Sequence, residues 1–163
     1  MSETDEILIH PNDVLRRRCE PVGAVDDETA LLGRRLVSVM LKIRGIGLAA
    51  PQVGVSKRVV AIGVDAGIRL APFVMVDPKV IWKSVPKTTM AEGCLSIPGK
   101  KFLVSRPRKV KVSFTTLAGR RRLVEAEGLA AKCIQHEIDH LDGVLICDLG
   151  EEFVPEPLPM PTN

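Results

Sequence analysis

Two of the chain's three histidines, His136 and His140, stand four residues apart with Glu137 between them, in the pattern H-E-x-x-H. On a helix, positions four apart lie one turn apart on one face, so both imidazoles can reach a single metal ion. Glu137 sits about 100 degrees round the axis from His136, within reach of the water that such a metal activates. The plain alternative is a helix whose histidines are simply hydrogen-bonded in place. Two histidines leave a metal underligated, because a catalytic zinc-type site usually has three protein ligands and one open position. His10 is one candidate, although it sits beside Pro11 with no supporting pattern. Cys94 is the better one. It lies in Ala91-Glu92-Gly93-Cys94-Leu95-Ser96-Ile97-Pro98, a sharp non-helical segment where Gly93 lets the backbone bend, and a thiolate binds such metals strongly.

These residues need elements to hold them. The helix bearing the histidines is predicted over residues 129–141, between Gly128 and Gly143. Its apolar residues, Leu129, Ala130, Cys133, Ile134 and Leu141, cover much of its surface and predict burial. A second, amphipathic helix starts from Asp26 as N-cap and carries Leu32, Leu36, Val39, Met40 and Ile43 to about Arg44, where Gly45 stops it. The run Gly45-Ile46-Gly47-Leu48-Ala49-Ala50-Pro51-Gln52 is small and apolar, and Pro51 argues against a long helix. It suits backbone lying close against a ligand with Gln52 pointing in; a tightly packed core loop fits equally well. Residues 58–64 and 73–76 read as strands, with 79–83 as another. Val110, Val112 and Phe114 alternate as in a half-buried strand, and Leu117-Ala118-Gly119 turns it into residues 121–126 as a hairpin.

Composition narrows the function. A chain of 163 residues with 45% hydrophobic and 26% charged residues suits one soluble domain that buries roughly two-thirds of its unfolded surface. A net charge of +3 is too small to argue for nucleic acid, and with no Tyr, one Trp and four Phe a base-stacking surface is not expected. The clusters Arg16-Arg17-Arg18 and Arg120-Arg121-Arg122 read as solvated faces. No apolar run approaches the ~18 residues of a membrane span, and the acidic start Met1-Ser2-Glu3-Thr4-Asp5-Glu6 does not resemble a secretory or transit signal. A cytoplasmic location is therefore expected. The four cysteines, without a C-x-x-C pair, read as core thiols or metal ligands. Residues 1–150 form the expected domain, and residues 151–163, acidic and with four prolines, an irregular tail that is expected to be disordered.

Three segments carry a resemblance. Gly45-Ile46-Gly47-Leu48-Ala49-Ala50-Pro51-Gln52, Glu92-Gly93-Cys94-Leu95-Ser96 and Gln135-His136-Glu137-Ile138-Asp139-His140-Leu141 are similar to the signature motifs of the peptide deformylases, in the family's order. The likeness continues through Ile97-Pro98-Gly99 and Arg106-Pro107, over about residues 7–149. It implies removal of the N-formyl group from the initiator formyl-methionine of new polypeptides, releasing formate. It implies Cys94, His136 and His140 as ligands of one divalent metal, ferrous iron natively in most members; zinc, nickel and cobalt accept the same ligands. Glu137 becomes the acid/base, and Gln52 with the Leu95 N–H the oxyanion hole. Ile46, Gly47, Leu129 and Cys133 border the substrate pocket, with Met90 as a weaker candidate. Asp139 or Glu92 orients the histidines, and Gln135 supports a loop.

The expected fold is α+β, with mixed, mainly antiparallel β-sheets packed around the buried helix of the C-terminal half that carries H-E-x-x-H. Formyl-Met nascent peptides are the implied partners, with transient ribosome association. Many members continue into a basic C-terminal helix linked to that docking, whereas residues 151–163 here are acidic and proline-rich, which argues against docking by that route. Lys101 stands where many members carry Arg. H-E-x-x-H also serves metallopeptidases, but their third ligand is usually His or Glu, which leaves the Cys94 and Gln52 segments unexplained. An idle homologue with a structural metal would need neither Glu137 nor Gln52.

Overall fold

A computed structural model describes residues 6–66 and 71–161. Helix α1 (Asp27–Lys42) is capped by Asp26, whose carboxylate accepts from the Thr29 N–H at 2.8 Å. It ends two residues before the expected Arg44, and for a local reason. Arg44 itself takes the left-handed conformation (φ 57°), so that the Arg44 N–H reaches Leu41 O and the Gly45 N–H reaches Met40 O. Strand β1 (Gly47–Ala49) and a 3-10 turn (Ala50–Val53) follow, then β2 (Val59–Ile62).

The two strands expected over 73–76 and 79–83 are one, β3 (Phe73–Lys83). Pro78, which has no N–H to donate, breaks its ladder, and Asp77 beside it sits at φ 48° while its carboxylate accepts the N–H groups of Val22 and Gly23. Next comes a long hairpin, β4 (Lys87–Cys94) and β5 (Ile97–Pro107), where the sequence indicated only a sharp segment. The expected second hairpin is β6 (Lys109–Thr115) with β7 (Arg121–Glu127). Helix α2 (Gly128–Leu141) carries the histidine pair, and a short α3 (Ile146–Leu149) leads to β8 (Glu151–Glu152). The tail thus contributes its first two residues to a sheet; from Phe153 to Pro161 it has no regular element and is exposed, and its last two residues lie outside the described ones.

The architecture is α+β, as expected. One sheet has the order β1-β2-β3-β6-β7 and the other β4-β5-β8, and every ladder is antiparallel. Alternation along the strands buries both faces of the larger sheet. Val60, Ile62, Phe73 and Met75 pack with Ala131, Ile134, Ile138 and Leu141 of α2, whereas Val59, Ala61, Val74 and Val76 pack with Leu36, Val39 and Met40 of α1. A third cluster, from Leu15, Ile97, Phe102, Val104, Leu145 and Ile146, seats the smaller sheet. Among the described residues, no helix is long and apolar enough to cross a membrane.

Past α2, the chain turns back at Gly143 (φ 72°), where an added Cβ would fall on the backbone carbonyl of Arg16. Positive φ alone costs a non-glycine residue about 1–3 kcal/mol. Gly143→Ala is therefore expected to lower the thermal midpoint by several degrees, at about 2–4 °C per kcal/mol for a domain of this size. Gly119→Ala, at φ 78° with nothing within 4 Å, should lose less; equal losses would refute the steric account.

Candidate active site

Helix α2 aims His136 and His140 at the end of β4, where Cys94 stands. Cys94 Sγ lies 3.5 Å from His140 Nε2, the two rings meet edge to face with centroids 5.0 Å apart, and the three ligand atoms lie within 4.8 Å of one another. His10 is not in this group. Its backbone N–H instead donates to Ser96 O at 2.8 Å, while the Leu8 N–H donates to Gln52 O at 2.8 Å, so the N-terminal segment straps two of the motif loops together.

The donor set suits a soft-to-borderline cation. Burial pushes His140 well below the usual imidazole range, leaving a neutral ring with a lone pair to offer. Burial also presses on His136, but hydrogen bonds to Cys94 and Glu92 and the charge of Glu137 outweigh it and hold the ring up at about 10. These surroundings demand positive charge. His140 Nδ1 has no hydrogen-bond partner among the described residues.

Behind the histidines lies a buried ionic chain. The His136 Nδ1–H donates to Glu92 Oε1 at 3.0 Å. Arg106 donates to both Glu92 oxygens, at 2.7 and 3.0 Å, and to Asp139 Oδ2 at 2.7 Å. Of the two carboxylates expected to orient a histidine, Glu92 does so, and Asp139 turns to Arg106. Burial opposes ionisation of Glu92, but its bonds to His136 and Arg106 prevail and hold it below the usual carboxylate range. Sequence reasoning assigned Arg106 no role; the available signal was an arginine on the buried, alternating side of β5 with Phe102 and Val104. Gln135 supports a loop as expected, donating to Pro107 O at 3.1 Å.

Glu137 lies against β1. Burial pushes its carboxyl up to about 7, and Oε2 has no hydrogen-bond partner among the described residues. A Cβ on Gly47 would come within 2.7 Å of Glu137 Oε1 and 2.9 Å of Cys133 Sγ, so glycine is what lets strand and carboxyl meet. Gln52 is 1% exposed. The Ala49 N–H donates to its Oε1 at 2.9 Å and its Nε2 donates to Ser96 Oγ at 3.1 Å, which orients the amide with its NH2 group toward the hairpin turn. Ser96, fully buried, is a second positioning residue that sequence reasoning passed over. Leu95 forms the hairpin turn and packs on the Gly45 loop, 3.2 Å from where a Cβ of Gly45 would lie.

These residues surround a cleft of about 730 Å³. Ile46, Gly47, Leu129 and Cys133 all line it, together with Gln52, Cys94, Leu95, His136 and Glu137. Cys133 is buried and its thiol donates to Ile46 O at 3.2 Å. Met90 lines a separate cavity of about 280 Å³, which shares Glu92, Leu129 and Lys132 with the cleft.

Removing one partner from a buried ion network leaves uncompensated charge and costs about 3–5 kcal/mol. Arg106→Met is expected to lower stability by that amount in urea unfolding; a change under about 1 kcal/mol would show that the network is not held as described.

A profile of the polypeptide deformylase family matches residues 4–153. The peptide deformylase of Methylocella silvestris is 42% identical over 146 residues, covering 87% of this chain and 74% of that protein. That of Rhizobium meliloti is 42% identical over 143 residues, covering 87% and 82%. Among solved structures, the peptide deformylase of Synechococcus elongatus in complex with actinonin has a TM-score of 0.83 at 40% identity, covering 90% of this chain and 78% of that one. That of Thermotoga maritima has a TM-score of 0.83 at 35% identity, covering 90% and 97%. With the three motif segments meeting at one cleft, the chain belongs to the polypeptide deformylase family, enzymes that hydrolyse the N-formyl group from new polypeptides.

Proposed function

We propose that Cys94, His136 and His140 hold one divalent metal, ferrous iron in the native enzyme, and that the cleft beside them removes the formyl group from the N-terminal formyl-methionine of nascent peptides. The observation that carries this reading is the convergence of a thiol and two imidazoles within 4.8 Å at the floor of a cleft that also holds Glu137. When bound, the metal supplies Lewis acidity, which makes hydroxide available near neutral pH.

The chain's own residues do the rest. Glu137, with burial holding its carboxyl near neutrality, takes the proton of the attacking water and returns it to the leaving amine nitrogen. Gln52, pinned through Oε1, offers its NH2 group to the formyl oxygen as negative charge develops there, and the Leu95 N–H offers a second donor. Ile46, Leu129 and Cys133 border the methionine side chain, and Gly47 leaves room for the peptide backbone. Glu92 fixes the tautomer of His136, and Arg106 fixes Glu92. A formylated nascent peptide as substrate supports a cytoplasmic location with transient ribosome association. Four unpaired cysteines fit that reducing compartment.

Protein prepared without oxygen and loaded with ferrous iron should release formate from a formyl-Met peptide. Glu137→Gln should lower kcat by about a hundred- to ten-thousandfold. One bound metal per chain with no formate would overturn the assignment. The base form of Glu137 is present above its pKa, so kcat/KM should fall as pH drops, with a midpoint at or below about 7, because a cation nearby favours the carboxylate. A flat acid limb would remove Glu137 from the role of base. Glu92→Gln keeps an acceptor for His136 but loses the charge, and should weaken metal binding about ten- to a hundredfold in chelator competition.

A further inference from the structure

The mouth of the cleft is lined by four cations: Arg44 ahead of the Gly45 loop, Lys100 and Lys101 on β5, and Lys132 on α2. None of them lies within 4 Å of a carboxylate among the described residues. The two carboxylates that line the same cleft cannot neutralise them. Glu92 is engaged by Arg106 and His136, and Glu137 is buried at the floor. The tail carboxylates nearest in the chain's course, Glu151 and Glu152 on β8, pair with the backbone of Phe102 and Leu103 and do not line the cleft.

Two further observations show that these cations are held there against a cost. Lys132 is half-buried; that burial holds its ammonium below the usual lysine range, repulsion from Arg106 and Lys101 adds to the lowering, and the attraction of Glu92 offsets only part of it. Arg44 occupies positive φ, a backbone conformation that glycine reaches without steric penalty. Like charges gathered round a concave mouth focus a positive potential into it.

We infer that this cleft selects formylated peptides with acidic residues just after the initiator methionine, with Arg44, Lys100, Lys101 and Lys132 as the specificity-determining residues. The inference rests on the deformylase reading of the cleft. An extended peptide advances about 3.4 Å per residue, so with the formyl group at the floor the next residues pass the cationic rim. Carboxylates there relieve the mutual repulsion of the cations, and the gain appears in KM, because these charges stand away from the reacting atoms.

The test uses three amidated peptides, so that no terminal carboxylate contributes: formyl-Met-Ala-Glu-Glu, formyl-Met-Ala-Gln-Gln and formyl-Met-Ala-Lys-Lys. With the metal-loaded full chain at low salt, kcat/KM should run acidic, neutral, basic, with acidic over neutral by about tenfold and the gap closing below about twofold in 0.5 M KCl. The difference should lie in KM. The combined variant Arg44→Gln/Lys100→Gln/Lys101→Gln should lose most of the ratio, and Lys132→Gln part of it; because the ratio is taken within one preparation, partial misfolding cancels. Equal kcat/KM for acidic and neutral peptides, or a preference unmoved by salt or by these variants, would overturn the inference. Formate from none of the three would refute the deformylase reading instead. The charge preference would then be read from direct binding of the same peptides carrying a C-terminal fluorophore, where equal affinities overturn it.

Discussion

The guanidinium of Arg106 joins two layers that share no strand. It leaves β5 of the smaller sheet, holds Glu92 on β4 with two bonds, and reaches Asp139 on α2 with a third. Helix α2 itself belongs to the core of the larger sheet. Cys94 sits two residues beyond Glu92 and His136 three before Asp139, so the separation of thiol and imidazoles is set largely by this one side chain. Taking a guanidinium and two carboxylates out of water is costly, and the cost is offset only when the geometry satisfies all of them. A slip of the hairpin by one residue would turn Arg106 outward and strand both acids, so the network fixes register as much as it binds.

Around that joint, the site leaves buried polar atoms open. Most buried polar groups of the fold are paired, with His10 Nδ1 an exception outside the cleft. At the cleft, Glu137 Oε2 and His140 Nδ1 are buried without partners among the described residues, and Gly47 gives up a side chain so that a carboxyl can press against a strand. Such departures concentrate at functional sites because a reacting group must keep a valence open for its substrate or ion. Gln52 shows the complementary device: one end of its amide is pinned so that the other is presented.

Much of this was legible in advance. The N-cap at Asp26, the extent of α2 and the β6–β7 hairpin follow from local signals, and Cys94 stands with the histidines, as its sharp segment, its thiolate chemistry and the family resemblance suggested. The β4–β5 hairpin was not legible as strands. Lys87, Thr88, Thr89 and Met90 are exposed, so β4 shows no apolar period to read. The split expected within β3 falls at Asp77 and Pro78, where the carboxylate of Asp77 stabilises a local irregularity and the strand resumes. Arg44 ends α1 in a conformation that its residue type does not advertise. Arg106 and Ser96 lie in segments that carry the resemblance but received no role, because their roles depend on partners far away in sequence, which no local pattern encodes.

The strap formed by the N-terminal segment bears on the order of assembly. Leu8 and His10 are fastened to Gln52 and Ser96, and the Cys19 N–H to Leu141 O, so the earliest residues find their partners only when late ones exist. Long-range pairings of this kind must close large loops before they are rewarded, which slows folding relative to a helical bundle of equal size. A chain emerging N-terminus first would therefore hold Cys19 and Cys94 without their partners on α2 until that helix has been made. The cleft is thus among the last features to exist, and partial chains cannot rehearse its chemistry.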